Sequence, residues 1–366
     1  MSTLNRISDL RLINQQITAS KLKEVKDLVT WMGAIQAQDY NMAKWAIGLR
    51  IPSSTDKIIE EAFNKGEIIR THILRPTWHF ISPDDVSWML ELTAEQIKST
   101  MRSSNRLLGI TKKISEKSNL IINDALTQNK YLTRKELSEF LNKANIKFKD
   151  PRAYRHIIFN AELDGIVCSG PIKGKEQTYN LLSRLVKKQK QYKKDEALYE
   201  LAKRYFTSHG PATLYDFSWW SGLRINDAQK AIDLVKKEII SDKIKSKTYW
   251  LSSDTVNKAK QDSLHLLPAY DEFIISYKDR TPSLQSKHQR EVSTINGIFK
   301  PIIVFNGKII GTWKKNIKKN KINIEIKLFH PVKKDTELSI EKEVERYGLF
   351  LNQKLEMYKQ FNNVLF

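Results

Sequence analysis

Residues 58–82 read IIEEAFNKGEIIRTHILRPTWHFIS, and their pattern decides the fold because it occurs three times in the chain. An amphipathic helix leads into a short apolar strand, a basic turn and an aromatic strand that opens with threonine. The other copies are residues 155–182, RHIIFNAELDGIVCSGPIKGKEQTYNLL, and residues 230–253, KAIDLVKKEIISDKIKSKTYWLSS. The chain therefore contains an internal repeat of one supersecondary unit.

A helix followed by a two-stranded hairpin is the second half of a winged helix, and shorter helices are predicted upstream of it. Thr133 stands three residues before Glu136, and Thr213 three residues before Asp216, which are two capping-box signals at helix starts. Residues 226–239 carry apolar side chains on one helical stripe. The pattern predicts tandem winged helices, which lay one helix against a duplex with the hairpin beside it.

The C-terminal hundred residues have a different pattern. Alternating apolar and polar residues in KINIEIKLF and a turn at Asn306-Gly307 predict strands and a hairpin. We predict an α+β chain of three tandem winged-helix units, followed by a β-rich, barrel-like module that ends in a helix over residues 339–361. The predicted borders are 1–100, 101–190, 191–258 and 259–366.

The chain is strongly basic, with 62 Lys and Arg against 41 Asp and Glu, a net charge of +21 and a pI near 9.7. Such an excess attracts polyanions, so duplex DNA is the predicted partner. Lysine-rich codon usage is the alternative explanation. Because three winged helices occur in one basic chain, the sequence favours DNA.

Several other classes of protein are excluded or disfavoured. No run of about 18 apolar residues and no signal peptide is present, which predicts a cytoplasmic, nucleoid-associated protein. A single cysteine, Cys168, rules out a disulfide framework and a cysteine-rich zinc site. His72 and His79 have no third ligand nearby. No glycine-rich phosphate loop or nucleophile elbow is found, so we predict no metal and no cofactor.

Gln36 and Gln38 in WMGAIQAQDY have a spacing that a helix does not explain, because residues two apart face different sides of a helix. If the two amides act together, the preceding helix must end before Gln36 and the chain must extend. They would then converge on one small target such as a water. The alternative is that Gln36 follows a helix end and Gln38 is solvated.

The motifs WMGAIQAQDY, RTHILRPTWHF, HGPATLYDFSWWSGL, LLPAYDEF and GKIIGTWK, in this order, resemble the AlkZ and YcaQ family of winged-helix DNA glycosylases. The resemblance covers nearly the whole chain. Gln-x-Gln marks the AlkZ-like branch and Gln-x-Asp the YcaQ-like branch, so Gln36 and Gln38 place this sequence with the former. The resemblance implies a monofunctional glycosylase that removes N7-alkylated purines from duplex DNA, in some members from interstrand crosslinks.

Glutamine is a poor base, and this fits the implied substrate. N7 alkylation makes guanine a cationic leaving group, so the base need not be protonated. Two amide oxygens could orient a water and stabilise developing positive charge by fixed dipoles. We therefore predict Gln36 and Gln38 as the catalytic pair.

Three carboxylates compete with the glutamines. Asp39 is adjacent to Gln38, but neighbouring residues on extended chain face opposite ways, so we expect it to cap or pair structurally. Asp271 and Glu272 in LLPAYDEF are interpreted as structural, with Arg280 as a partner for one of them.

The predicted DNA contacts lie on the first wing and on a later strand. Arg75, Trp78 and His79 would meet the phosphate or the lesion; the alternative places Trp78 in the core. Lys314 and Lys315 in GTWKKNIKKNK would follow the phosphates or form a solvated face. Two further aromatic residues are predicted to be core residues of the third unit: Trp219 and Trp220.

Two other functions compete with the glycosylase. A transcription regulator is usually a dimer, whereas three units in one chain suit a monomer that wraps a duplex. A protein-interaction scaffold would not need a net charge of +21.

Overall fold

The computed structural model of the chain describes residues 3–187, 190–244, 246–255, 263–318 and 321–361. Helices and strands are mixed along the chain, so the predicted α+β class is confirmed. Among these residues, no helix is both long and apolar enough to cross a bilayer.

The first segment contains the predicted helices and hairpin. Its elements are α1 Thr3–Asn14, α2 Val25–Met32, β1 Ile35–Gln36, α3 Tyr40–Gly48, α4 Asp56–Asn64, β2 Ile69–Ile73, β3 Arg75–Ile81 and α5 Val86–Leu107. Strand β3 lies between β1 and β2 and is antiparallel to both. Helix α5 runs across residue 100, where the sequence placed the first border.

The second segment forms a separate sheet with strand order β4-β6-β5. Its elements are α6 Lys112–Gln128, β4 Leu132–Thr133, α7 Arg134–Lys143, α8 Arg152–Leu163, β5 Val167–Lys173 and β6 Glu176–Leu181. The capping box of α7 is confirmed, because Glu136 accepts from the Thr133 N–H and donates its own N–H to the Thr133 hydroxyl.

The third segment ends in a two-stranded hairpin, and Trp250 of its second strand also bridges to Ala212. Its elements are α9 Lys194–Ser208, α10 Leu214–Ser221, α11 Ile225–Val235, β7 Ile239–Ile244 and β8 Lys247–Ser252. The capping box of Thr213 and Asp216 is confirmed at the start of α10. The predicted stripe of α11 is buried as well: Ala228, Ala231, Ile232 and Val235.

The C-terminal segment is built on a five-stranded sheet that curls into a half-barrel, with strand order β13-β12-β11-β10-β9. Asn306 and Gly307 form the turn of the β10–β11 hairpin, both with positive φ, as predicted. The elements are β9 Leu264–Leu267, α12 Glu272–Ile275, α13 Gln289–Val292, β10 Ile302–Phe305, β11 Lys308–Lys318, β12 Lys321–Leu328, α14 Lys334–Leu351 and β13 Leu355–Phe361.

The predicted terminal helix over residues 339–361 is wrong in its second half. Helix α14 ends at Leu351 because Asn352 takes the left-handed conformation, with φ 53°. The chain then turns into β13, which pairs in parallel with β12.

The first and C-terminal segments share one hydrophobic core. The indole N–H of Trp45 in α3 donates to the Leu266 carbonyl of β9 at 2.8 Å, and its ring lies 4.9 Å from Tyr347 of α14. A second core joins the first and third segments, while the second segment mainly packs around a third core. The start of β1 therefore lies where elements from distant parts of the sequence meet.

Candidate active site

The backbone leaves the helix just before the Gln-x-Gln motif. Helix α2 ends at Met32, and Gly33 takes φ +76°, which glycine adopts without strain. The chain then extends as β1, with Gln36 opposite His79 of β3. The predicted helix end and extended chain are confirmed.

Three hydrogen bonds fix the backbone of the motif. The Gln36 N–H donates to Glu272 Oε1 at 2.7 Å, and the Ala37 N–H donates to the Trp78 carbonyl at 2.6 Å. The Ala37 carbonyl accepts from Arg70 Nε at 3.0 Å. Because these partners lie at α12, β3 and β2, the position of the motif depends on the first hairpin and the C-terminal segment together.

The Gln36 side chain is held from within the protein. It is 8% exposed, and its Oε1 accepts a hydrogen bond from Arg75 Nη2 at 3.0 Å. A guanidinium only donates, so the oxygen of this amide, and not its nitrogen, faces Arg75. One lone pair of the oxygen stays available for another donor.

Gln38 differs from Gln36 because it is exposed, and no residue in the described parts of the chain hydrogen-bonds its side chain. Asp39, the rival carboxylate, caps α3: its Oδ1 accepts the Met42 N–H at 3.1 Å. The prediction that Asp39 has a capping role is confirmed.

The sequence identified Glu272 as a structural carboxylate, but did not predict that it lies at this site. It is fully buried, and besides Gln36 it accepts hydrogen bonds from the Trp220 indole at 3.2 Å and from the Ser276 hydroxyl. His209 Nε2 lies 3.7 Å from its Oε2. The motif LLPAYDEF indicated the segment, but nothing local in it indicated a contact with residue 36.

The predicted pairing with Arg280 is wrong. Asp271 forms a buried, bidentate ion pair with Arg50, with N–O distances of 2.8 and 2.9 Å. Arg280 instead donates its Nε–H to the Ile274 carbonyl at 3.0 Å. The reason is tertiary, since Arg50 lies at the end of α3 and far from Asp271 in sequence.

Charges on the buried side of the motif are fixed near neutral pH. Burial raises the pKa of Glu272, but the His209 ring, the Arg75 guanidinium and the Ser276 hydroxyl outweigh it and bring the pKa to about 2. Burial lowers the pKa of Arg75, and the Glu272 carboxylate opposes that effect. Burial, followed by the charge of Arg75, lowers the pKa of His79 to about 3. At pH 7 the site thus holds a carboxylate, a guanidinium and a neutral imidazole.

The turn of the first hairpin lies inside the protein. Leu74 is 1% exposed with φ +61°, and its N–H donates to Thr93 Oγ1 of α5 at 3.3 Å. Gly222, after α10, comes so close that a Cβ built on it would lie 2.1 Å from the Leu74 oxygen. This packing places Arg75 beside Gln36.

The other first-wing residues have different surroundings. Trp78 is half-buried, its ring lies 4.4 Å from His72, and its indole donates to Glu162 Oε1 at 3.2 Å. His79 is fully buried, with Nδ1 at 2.9 Å from the Thr77 carbonyl. Its burial does not favour a direct DNA contact, and the predicted contacts of Arg75, Trp78 and His79 stay predictions.

Lys314 and Lys315 lie on β11 and face opposite sides of the strand. Lys314 is exposed, whereas Lys315 is half-buried with its ammonium 5.9 Å from the Tyr347 ring centroid. Burial lowers the pKa of Lys315. Of the two, Lys314 is the better placed for a phosphate contact.

The two adjacent tryptophans of α10 also differ. Trp220 is fully buried, as predicted, but the core prediction for Trp219 is wrong, because its side chain is 43% exposed. The Arg280 guanidinium lies 5.7 Å from its ring centroid. Among the residues that the structure describes, no cluster of three His, Cys, Asp or Glu side chains could hold a metal.

Comparison with known proteins identifies relatives along most of the chain. Residues 29–350 match the model of a family described as DNA glycosylase AlkZ-like. An interstrand DNA cross-link repair glycosylase from Streptomyces sahachiroi is 21% identical over 327 residues, which cover 83% of this chain and 85% of that protein. The solved structure of Streptomyces sahachiroi DNA glycosylase AlkZ matches with a TM-score of 0.83 and 19% identity, covering 98% of this chain and 100% of the other. At this identity the structural likeness establishes the fold.

Proposed function

Since the chain belongs to the AlkZ-like family of DNA glycosylases, we propose that it hydrolyses the N-glycosidic bond of N7-alkylated purines in duplex DNA. The observation that carries the proposal is the contact of the Gln36 side chain with Arg75 and of its backbone with Glu272. A glutamine that is buried and oriented before substrate binds is a preorganised dipole, which is the form of stabilisation that enzymes use most.

In the proposed reaction, a water held by Gln36 and Gln38 attacks C1′ of the damaged nucleotide. The bond from C1′ to the purine N9 breaks, and its electron pair neutralises the cationic purine, so no acid is needed at the leaving group. The water's second proton passes to solvent. Gln36 Oε1 keeps one lone pair for a water hydrogen, since Arg75 occupies the other.

The charge balance of the site supports a cationic substrate. An unopposed Arg75 would repel an N7-alkylpurine and the oxocarbenium-like sugar. The buried Glu272 carboxylate compensates that charge and remains ionised, because its pKa is about 2. Arg75 can then orient Gln36 without adding net positive charge beside the lesion.

The exposure of Gln38 supports action on bulky adducts, including interstrand crosslinks. A crosslinked base is tied to both strands and cannot be rotated fully out of the duplex. A reactive pair with one member at the surface can approach such a lesion in place. The cross-link repair activity in the name of the Streptomyces relative is in keeping with this part of the proposal.

Binding of undamaged duplex is proposed to depend mainly on phosphate contacts, as the net charge of +21 suggests. Neutralising about 4 phosphates would make the affinity fall more than tenfold for each doubling of salt. Titration of fluorescent duplex at several salt concentrations measures this slope. A salt-insensitive affinity, or a strong preference for one palindrome, would indicate a transcription regulator instead.

The deciding experiment uses a duplex with one N7-methylguanine in an end-labelled strand. We expect the protein to produce abasic sites, seen as strand breaks only after alkali, with no effect on the unmethylated duplex. Intact glycosidic bonds after prolonged incubation would overturn the proposal. Breaks without alkali would show that the enzyme also has lyase activity and is not monofunctional.

A further inference from the structure

Residues 294–298, TINGI, form a short loop that we call the apolar tip loop. It exposes two isoleucines: Ile295 is 98% exposed and Ile298 is 50% exposed. One exposed isoleucine is ordinary on a protein surface. Two at the tip of one turn on a strongly basic protein are a feature to be explained.

The apolar tip loop is held by its own hydrogen bonds. The Thr294 N–H donates to the Ile298 carbonyl at 2.9 Å, and the Ile298 N–H donates to Thr294 Oγ1 at 3.2 Å. The Gly297 N–H donates to the Thr294 carbonyl at 3.1 Å, with φ +74° at the glycine. The turn therefore presents Ile295 without having to order on contact with a partner.

The base of the loop is fixed to buried structure. Ser293 and Phe299 form an antiparallel bridge, and the Lys300 N–H donates to the carbonyl of the buried Val292 at 2.9 Å. The loop thus begins directly after α13, and the residues that follow it bond back to the end of that helix, which anchors the loop.

One set of contacts connects this base to Gln36. The Arg280 guanidinium lies 4.9 Å from the Phe299 ring centroid. Arg280 also donates its Nε–H to the Ile274 carbonyl of α12 at 3.0 Å. Glu272 of the same helix accepts the Gln36 N–H at 2.7 Å.

A second set of contacts connects the base to the same motif. The Tyr270 ring centroid lies 6.3 Å from that of Phe299, and Tyr270 packs against the core that contains Ala37. Tyr270 also lies two residues before Glu272, whose Oε1 accepts the Gln36 N–H. The apolar tip loop therefore projects from the border of the candidate active site.

Resting on the proposed function, we propose that the apolar tip loop is a wedge that enters the duplex beside the lesion, with Ile295 inserted between neighbouring bases. Apolar side chains that unstack a base step are an established way to open DNA. Arg280 and the exposed Lys300 at the base would meet the phosphates of the opened step. The opened step would expose C1′ of the damaged nucleotide to the two glutamines.

The test of insertion uses 2-aminopurine, whose fluorescence rises when it is unstacked, placed next to N7-methyl-2′-fluoro-deoxyguanosine, which resists hydrolysis. Wild-type protein at saturation should raise the fluorescence several-fold, and Ile295→Ser should abolish most of that rise. Leu107→Ser is the matched control, because Leu107 is 88% exposed on α5 and has no part in the contacts above. Equal fluorescence with Ile295→Ser and wild type, at equal saturation, would overturn the wedge.

A kinetic test separates the wedge from the proposed function. Ile295→Ser should slow single-turnover excision of N7-methylguanine from a paired duplex by about 10-fold or more, since unstacking is no longer assisted. In a duplex with mismatches on both sides of the lesion, the variant should regain most of the wild-type rate. An equal deficit on both substrates would contradict the wedge. If wild-type protein excises neither substrate, the proposed function fails, and the fluorescence result alone decides the wedge.

Discussion

The first and third hairpins arise from one sequence pattern but have opposite surroundings. All five residues of β2 are buried, and the turn at Leu74 packs against Gly222. In β7 only Ile239 is buried, and the following residues are exposed or partly exposed. The same local structure therefore forms an internal wall of the candidate site in one place, whereas in the other its first strand lies at the surface and its second strand buries Tyr249 and Leu251.

The difference shows that burial, and not the hairpin itself, determines how much the charged groups at each hairpin contribute to stability. Around the first hairpin, the buried Glu272 carboxylate accepts hydrogen bonds from Gln36, Trp220 and Ser276, and removing a buried acceptor is costly. At the third hairpin, Lys247 forms an ion pair with Asp279 at 2.5 Å, but the lysine side chain is 51% exposed. Such exposed pairs contribute little.

The largest effect should come from breaking the buried charge network. Glu272→Gln removes the buried carboxylate charge and weakens the hydrogen bonds that it accepts from Gln36, Trp220 and Ser276, and we expect a loss of about 3 kcal/mol in the free energy of unfolding. Lys247→Gln, at the third hairpin, should cost at most about 1 kcal/mol. Urea denaturation of both variants measures the contrast. Equal losses would mean that the two hairpins are not energetically different.

The next effect concerns the close approach of Gly222 to the first hairpin. Gly222→Ala would place a Cβ within 2.1 Å of the Leu74 oxygen. Gly109→Ala is the matched control: Gly109 has φ +72° and Gly222 has φ +71°, but a Cβ on Gly109 would have no atom within 4 Å. In both variants alanine must adopt the left-handed backbone conformation, which lowers the free energy of unfolding by about 1 to 2 kcal/mol. Only Gly222→Ala should lose further stability and slow excision, since Leu74 and Arg75 must shift. Similar stability and rate for the two variants would contradict this role of the packed turn.

The smallest effect should be that of pH on the reaction. Because the pKa values of His79 and Glu272 are about 3 and about 2, neither group titrates between pH 4.5 and 8. Single-turnover excision should stay nearly flat over that window, and Gln38→Asp should introduce an acidic limb below about pH 5. If the excision rate of the wild-type protein falls at low pH, and Asp39→Asn removes that fall, then Asp39 acts as the general base and the prediction is wrong.

Stability should respond to pH where the rate does not. The folded-state pKa of His79 lies at about 3, below its ordinary 6.5. Between these pH values the unfolded chain binds a proton at His79 that the folded chain does not bind. The free energy of unfolding is therefore unaffected by His79 above pH 6.5 and decreases as the pH falls from 6.5 toward 3. Glu272 adds a second loss between its ordinary 4.5 and about 2. Thermal melts from pH 7 to pH 4 should show this decline.

The local parts of the fold were predictable from sequence. Capping at Thr133 and Thr213, the turn at Asn306-Gly307 and the helix end before Gln36 depend on neighbouring residues, and all are confirmed. Assignment to the AlkZ-like family is confirmed as well, through motifs in a fixed order.

The long-range parts were not predictable. Glu272 meets Gln36 across 236 positions of sequence, and Asp271 meets Arg50 across 221. No local spacing encodes such contacts. The burial of the Leu74 turn and the switch from α14 to β13 likewise depend on partners elsewhere in the chain.

We propose that Gln36 and Gln38 carry the chemistry, and the most direct test of their role is single-turnover excision of N7-methylguanine from duplex DNA. Gln36→Ala and Gln38→Ala should each lower the rate by about 10- to 1000-fold, as for the loss of one preorganised polar group, with duplex affinity nearly unchanged. Gln128→Ala, which alters an exposed glutamine of α6, should match wild type. Full excision by the Gln36→Ala, Gln38→Ala double variant would contradict a catalytic role for the two glutamines.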